Sequence, residues 1–313
     1  MKNKLLIFLG GLIITPVLLI ALIGAVYSPS IKIPSGYQGK YIDIKGRAIR
    51  YYHVGQGQDI FLIHGAMGSI EDWEMLYPLL KEKYRITAID RPGMGFSSIQ
   101  DGDASIEKNA EVAFEVIKEL GLKDVVVVGH SYGGAIALKM ATQFNENIKG
   151  YLLIAPLAYP DKKYGNQGIL KLLTFPYFGE GAAALLGPLI GNRMIEETLT
   201  RMIYTNRHKY PENFIPFRQR LWNKTISTTT QARQSENYNR ELGEMALHYS
   251  TIKHRICLIV GDKDSEDLQR QSQKLSEDIP NIKYLKLSGV NHYVQYDASK
   301  ELANFLFMLI NET

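Results

Sequence analysis

Between Asp124 and Phe144 the chain reads DVVVVGHSYGGAIALKMATQF. Four consecutive valines without polar alternation suit a strand buried on both faces. The glycines after them permit a tight turn, and the spacing from Gly134 to Phe144 is helical. This is G-x-S-x-G, Gly129 to Gly133, in a strand–turn–helix context. Such a turn strains the serine backbone and lifts the Ser131 hydroxyl above the sheet, at the positive end of the next helix. By itself the pattern also fits an ordinary glycine-rich turn whose serine caps a helix.

The flanks repeat the alternation. Tyr41–Ile44 and Ala48–His53 flank Lys45-Gly46 as a hairpin. Ile60–Ile63, Ile86–Ile89 and Tyr151–Ile154 are short apolar runs, and Glu71–Tyr84 and Ile106–Leu120 carry helical spacing. Ser69 with Asp72 resembles a capping box for the first helix. After Ile154 the alternation stops for about ninety residues and resumes with Ile256–Val260, Leu268–Ile279, Ile282–Leu287 and Lys300–Ile310. The pattern predicts a mostly parallel α/β sheet with a helical insertion.

Composition excludes other classes. Hydrophobic residues at 45% and charged ones at 22% are globular values. The 36 Lys and Arg against 32 Asp and Glu leave +4, too small and too interleaved an excess for nucleic acid as a partner. Cys257 is the only cysteine, so neither an intrachain disulfide nor a cysteine-rich metal site is possible. No cofactor or metal is expected; His53, His208, His248 and His254 have no ligand spacing.

Lys2 and Lys4 precede an uncharged apolar run from Leu5 to Tyr27. As a helix it would extend roughly 33 Å, enough to cross the hydrocarbon layer of a bilayer. It is longer than a signal-peptide core and no clear cleavage site follows, so a retained single-pass anchor is expected over 1–30. The positive-inside rule then puts everything after residue 30 outside the cytoplasm. Secretion after cleavage is the alternative.

Four further segments carry a resemblance. His64-Gly65-Ala66 follows the third strand, and Asp90-Arg91-Pro92-Gly93-Met94-Gly95-Phe96-Ser97 the fourth. Gly261-Asp262-Lys263-Asp264 ends a strand after the insertion, and Gly289-Val290-Asn291-His292 lies near the C-terminus. With the serine turn, these resemble the α/β-hydrolase fold superfamily from about residue 40 to 313, in its order Ser, Asp, His. The resemblance implies an eight-stranded, mostly parallel sheet flanked by helices. Its core would be 31–156 and 251–313, and 157–250 a helical cap.

The resemblance also implies roles. Ser131 would be the nucleophile and His292 its base. Asp264, three residues beyond the strand-ending glycine, would be the acid, with Asp262 facing the turn. The family position after the sixth strand reads Ala155-Pro156-Leu157 and offers no acid. The backbone amides of Ala66 and Tyr132 would bind the oxyanion, with Met67 the fallback if the loop is shifted by one. Serine at 131 disfavours epoxide hydrolases and haloalkane dehalogenases, which use aspartate there, and the motif does not match the G-G-S-W-G of proline iminopeptidases. The expectation is a serine hydrolase of lipophilic carboxylic esters, most like monoacylglycerol lipase and esterase relatives. A carbon–carbon hydrolase or a non-catalytic binding protein of the same fold are the alternatives.

The insertion holds 12 Lys and Arg against 8 Asp and Glu, yet Gly168–Gly191 contains only Lys171 and Glu180 as charges. That stretch is expected either to form an apolar lid over an acyl pocket, dipping toward a membrane, or to pack against the main domain. Trp73 and Tyr132 are expected either to line the acyl pocket or to belong to the core.

Overall fold

The computed structural model describes residues 2–26, 32–33, 35–100, 102–144, 146–161, 168–280 and 282–311, with side chains except those of 2–13 and 169. Eight strands form one sheet: β1 (Lys40–Ile44), β2 (Arg47–Val54), β3 (Gln58–Ile63), β4 (Tyr84–Ile89), β5 (Val125–His130), β6 (Ile148–Ile154), β7 (Arg255–Gly261) and β8 (Lys283–Leu287). Their spatial order is β1-β2-β4-β3-β5-β6-β7-β8. β2 pairs antiparallel with β1 and β4, and every other pair is parallel.

The valines of β5 show why its sequence does not alternate. Val125 and Val127 join one apolar cluster and Val126 and Val128 the other, one on each face of the sheet. Helices cover both faces. Among them are α2 (Ile106–Glu119), α3 (Tyr132–Gln143), α8 (Glu266–Asp278) and α9 (Ser299–Asn311); α1 (Lys2–Val26) precedes the sheet, and among the described residues four longer α-helices lie between β6 and β7. Those four are α4 (Phe178–Leu186), α5 (Asn192–Ile203), α6 (Phe214–Trp222) and α7 (Thr225–Ala246). They form a cap with its own apolar cluster, which includes Leu199, Phe214, Leu221 and Trp222 and reaches Phe96, Tyr293 and Tyr296 of the core.

Two local expectations are corrected. The helix expected over Glu71–Tyr84 is broken into a 3-10 turn, Ile70–Trp73, and a single α-turn, Tyr77–Leu80. Pro78 lacks an N–H for a continuous helix but fits the first turn of a new one. The capping box is absent as well. The Ser69 hydroxyl is buried without a partner, and the Asp72 carboxylate goes instead to Arg218 of α6, 2.6 Å away.

Side chains of α1 are described from Ile14 onward. Among the described residues no helix is long and apolar enough to cross a membrane, and the anchor expected over Leu5–Tyr27 lies partly outside them.

The Asp72–Arg218 pair bolts cap to core. Both side chains are 3% exposed, and the guanidinium carbon lies 3.5 Å from the centre of the Phe214 ring. Burial pushes the Asp72 carboxyl above its ordinary range, against the pull of Arg218. Removing one partner of such a pair leaves a buried charge uncompensated. Arg218→Ala is therefore expected to lower stability by about 3–5 kcal/mol in urea unfolding, and Arg218→Met combined with Asp72→Leu to recover most of it. A loss within experimental error for the single variant would refute the bolt.

Candidate active site

Ser131 stands between β5 and α3 with φ 53° and ψ −116°, a conformation non-glycine residues rarely adopt. The surroundings force it. A Cβ on Gly133 would overlap the carbonyl oxygen of Ile63, and one on Gly129 the carbonyl of Gly133, so strand and helix can approach this closely only with glycine at both positions. The Ser131 amide is anchored to the Ile154 carbonyl of β6 at 2.8 Å.

The loops after β7 and β8 bring two more side chains to the same place. His292 Nδ1 donates to Asp264 Oδ2 at 2.9 Å. That bond leaves Nε2 as the acceptor. Asp264 Oδ1 accepts from the Ser265 amide, while Asp262 accepts from the Gly289 amide at 2.7 Å and from Ser288, and so closes the turn. Burial pulls the His292 imidazole down, but the Asp264 charge and hydrogen bond outweigh it and hold the group above its ordinary value.

The loop after β3 faces Ser131 from the other side. Met67, at φ 50°, turns it. His64 Nε2 accepts from the Arg91 amide at 3.0 Å, which leaves Nδ1–H to donate to the Gly65 carbonyl at 2.8 Å. Arg91 donates from its guanidinium to the carbonyls of His64 and Gly65. The loop's carbonyls are thus drawn away from the site. Among the described residues the amides of Ala66 and Tyr132 donate to no acceptor. Burial lowers the Arg91 guanidinium to about 10, still charged at neutrality, and leaves His64 well below its ordinary value and neutral.

A family model of the alpha/beta hydrolase fold matches residues 60–299. The chain belongs to the alpha/beta-hydrolases. The hydrolase is 30% identical over 274 residues to the dihydrolipoyllysine-residue acetyltransferase component of the acetoin cleaving system of Pseudomonas putida, covering 83% of this chain and 66% of that one. It is 24% identical over 179 residues, 56% of this chain and 61% of the relative, to a 2-hydroxy-6-oxo-6-(2'-aminophenyl)hexa-2,4-dienoic acid hydrolase of Metapseudomonas resinovorans. The chain spans between a third and two thirds of the length of three of the curated relatives it matches. In fold it is similar to a meta-cleavage product hydrolase from Pseudomonas fluorescens IP01, with TM-score 0.71, 18% identity and coverage of 88% and 98%. It is likewise similar to an esterase from Exiguobacterium antarcticum, with TM-score 0.69, 20% identity and coverage of 86% and 98%.

Two cavities of the hydrolase meet at Ser131 and His292. One, of about 180 Å³, is walled by Ala66, Met67, Met202, Trp222 and Tyr293, with Asp72 and His130 at its back. The other, of about 520 Å³, is more open and runs past Asp264 between Met202 and Arg201 of α5 and Leu157, Lys263 and Leu268 of the core. Trp73 and Tyr132 line neither cavity and lie in the core. The apolar stretch Gly168–Gly191 does not line them either. It packs on α1 and α7, and the walls come from α5, α6 and α7.

Sequence reasoning does not single out Arg91, Met202 or Trp222, whereas His130, beside Ser131, packs and bonds to a loop as a histidine flanking the nucleophile is expected to. His130 Nε2 donates to the His292 carbonyl at 3.0 Å, its ring 4.7 Å from that of His292, and burial keeps it neutral. The signal for Arg91 was its place in the loop motif after β4, and Met202 and Trp222, in the cap, had none. Among the described residues no group of three or more His, Cys, Asp or Glu could hold a metal ion.

Proposed function

We propose that this hydrolase is a serine esterase of lipophilic carboxylic esters. The hydrogen bond from His292 to Asp264, in one cavity with Ser131 and Ala66, carries the reading. Ser131 Oγ attacks the ester carbonyl carbon as His292 Nε2 takes its proton. The amides of Ala66 and Tyr132 hold the oxyanion of the tetrahedral intermediate. Its collapse breaks the bond to the alcohol oxygen, which receives the proton from His292. Water then enters by the same route and releases the acid from the acyl-enzyme. A fluorophosphonate should label Ser131, and absence of labelling in folded protein would overturn the reading in favour of a non-catalytic binding protein.

Burying an acyl chain along the cavity walls gives up to about 0.8 kcal/mol per methylene. The specificity constant is expected to rise a few-fold per two carbons from acetyl to about octanoyl esters. Met202 walls both cavities, so Met202→Trp should end that rise at shorter chains, whereas Leu186→Glu, remote from both, should leave the profile for esters presented in solution unchanged. A profile that is flat in the parent protein removes the lipophilic substrate class.

One observation favours a second reading, a carbon–carbon hydrolase. Arg201 and Lys263 line the larger cavity, and among the described residues neither forms an ion pair, so the cleft suits a substrate bearing a carboxylate. The relative that acts on a hydroxy-oxo-dienoic acid has such a substrate by its name. Faster turnover of an acidic ring-opened diketone than of the octanoyl ester would establish it.

The same proposal places the protein on a membrane through Leu5–Tyr27, N-terminus cytoplasmic and catalytic domain outside, on the strength of the apolar run behind Lys2 and Lys4. External protease on spheroplasts should then remove the catalytic domain. Its complete protection, or release of a mature protein starting near residue 30, would overturn the anchor.

A further inference from the structure

The exposed large apolar side chains are not scattered. Among the described residues, all except Tyr41, Leu79, Leu247 and Phe307 lie in α1 or between Leu172 and Tyr204 of the cap. Isolated exposed leucines need no explanation, but a concentration on two adjoining elements does.

The two elements touch backbone to backbone. A Cβ on Gly24 of α1 would overlap the Tyr177 carbonyl, and one on Gly181 of α4 would overlap the Ile20 carbonyl. Such approach through small residues is how helices pack where no water drives them together. Ala182 and Ala183 are buried, while Phe175, Leu185, Leu189 and Ile190 remain 43% to 75% exposed. The surface carries little charge. Its one acid, Glu180, is turned inward to pair with Arg233 of α7.

We infer that this surface, α4 with the turn Gly187–Gly191 after it, is seated in a lipid bilayer alongside α1. The inference rests on the reading of Leu5–Tyr27 as an anchor and adds where the cap lies relative to it. The apolar run ends at Tyr27. At about 1.5 Å per residue, Gly24 and Ile20 lie roughly 5 and 10 Å inside the apolar layer. That matches the depth of about 5–10 Å at which helices lying in a membrane interface bury their apolar face. The contact with α1 therefore fixes α4 at the level of the outer headgroup boundary. The same segment continues into α5, whose Thr198 and Met202 wall the catalytic cavities. A lipophilic substrate leaving the bilayer would meet the cleft one helix away.

The test uses the full chain in phosphatidylcholine vesicles. Leu189→Cys, Leu22→Cys and Leu247→Cys are each labelled with a fluorophore, Cys257 being buried. Emission is quenched in turn by nitroxide-bearing lipid and by aqueous iodide. Labels at 189 and 22 are expected to lose most of their emission to the lipid quencher and little to iodide, and the label at 247 the reverse. If position 22 is quenched from the lipid and position 189 from water, the anchor stands and the seat is refuted. Iodide quenching at both positions refutes the anchor itself, and the seat with it. A label at 189 shielded from both quenchers refutes the seat in favour of a protein cover, such as a second copy of the chain.

Discussion

Ser131→Ala is expected to abolish turnover, with a loss on the order of 10⁶-fold in kcat, and to leave the unfolding midpoint in place. The first half follows from the attack by Oγ: alanine offers no atom to form the acyl-enzyme. The second half follows from what the side chain does in the resting protein. Among the described residues the Ser131 hydroxyl makes no hydrogen bond to another group, and only 9% of the residue is exposed. Alanine meets the same strained φ of 53° that serine already tolerates. Burst labelling and steady-state turnover of the purified variant decide the matter, since retained activity would remove Ser131 from the chemistry altogether.

Asp264→Asn should cost roughly 10⁴-fold in kcat, because an amide can donate to Nδ1 and so stabilise the wrong imidazole tautomer. Asp262→Asn is the control, for its carboxylate binds the Gly289 amide and Ser288 and never reaches the imidazole. A larger effect at 262 than at 264 would reverse the assignment. The pair also predicts a pH effect. His292 must be neutral to take a proton, and Asp264 holds its pKa above the ordinary histidine value. The kcat/KM profile should therefore fall with acid through an apparent pKa above about 6.5, its parent value. In the residual activity of Asp264→Asn that limb should move to lower pH, as the stabilising charge is gone while burial remains.

What could be read from sequence was local. The run from Val125 to Gly134 specifies strand, turn and helix within one contiguous window, and the paired burial of alternate valines follows from it. Long-range choices were not available. Asp72 looked like a helix cap because its true partner, Arg218, stands 146 residues away. Pro78 inside an otherwise helical spacing is the local sign that the segment from Glu71 breaks. Which cap residues face Ser131 depends on how α5 and α6 cross the core. An apolar stretch such as Leu172–Ile190 looks the same in sequence whether it covers a pocket or packs elsewhere. The choice between Asp262 and Asp264 came from family resemblance alone, since two acids in one turn are equivalent until β8 shows which amide claims which.

The direct pairing of β6 with β7 sets an order of assembly. Leu152 and Cys257 are register partners, yet the whole cap lies between their strands. Closing a loop of about 100 residues costs roughly 4 kcal/mol of chain entropy before the strands reward it. The half of the molecule carrying Ser131 can collapse around β3, β4 and β5 through nearer contacts, whereas β7 and β8, with Asp264 and His292, are expected to join after the cap has compacted. Recovery of activity on refolding should thus lag the recovery of helical signal, and a chain halted before the cap closes would hold its serine without the base that arms it.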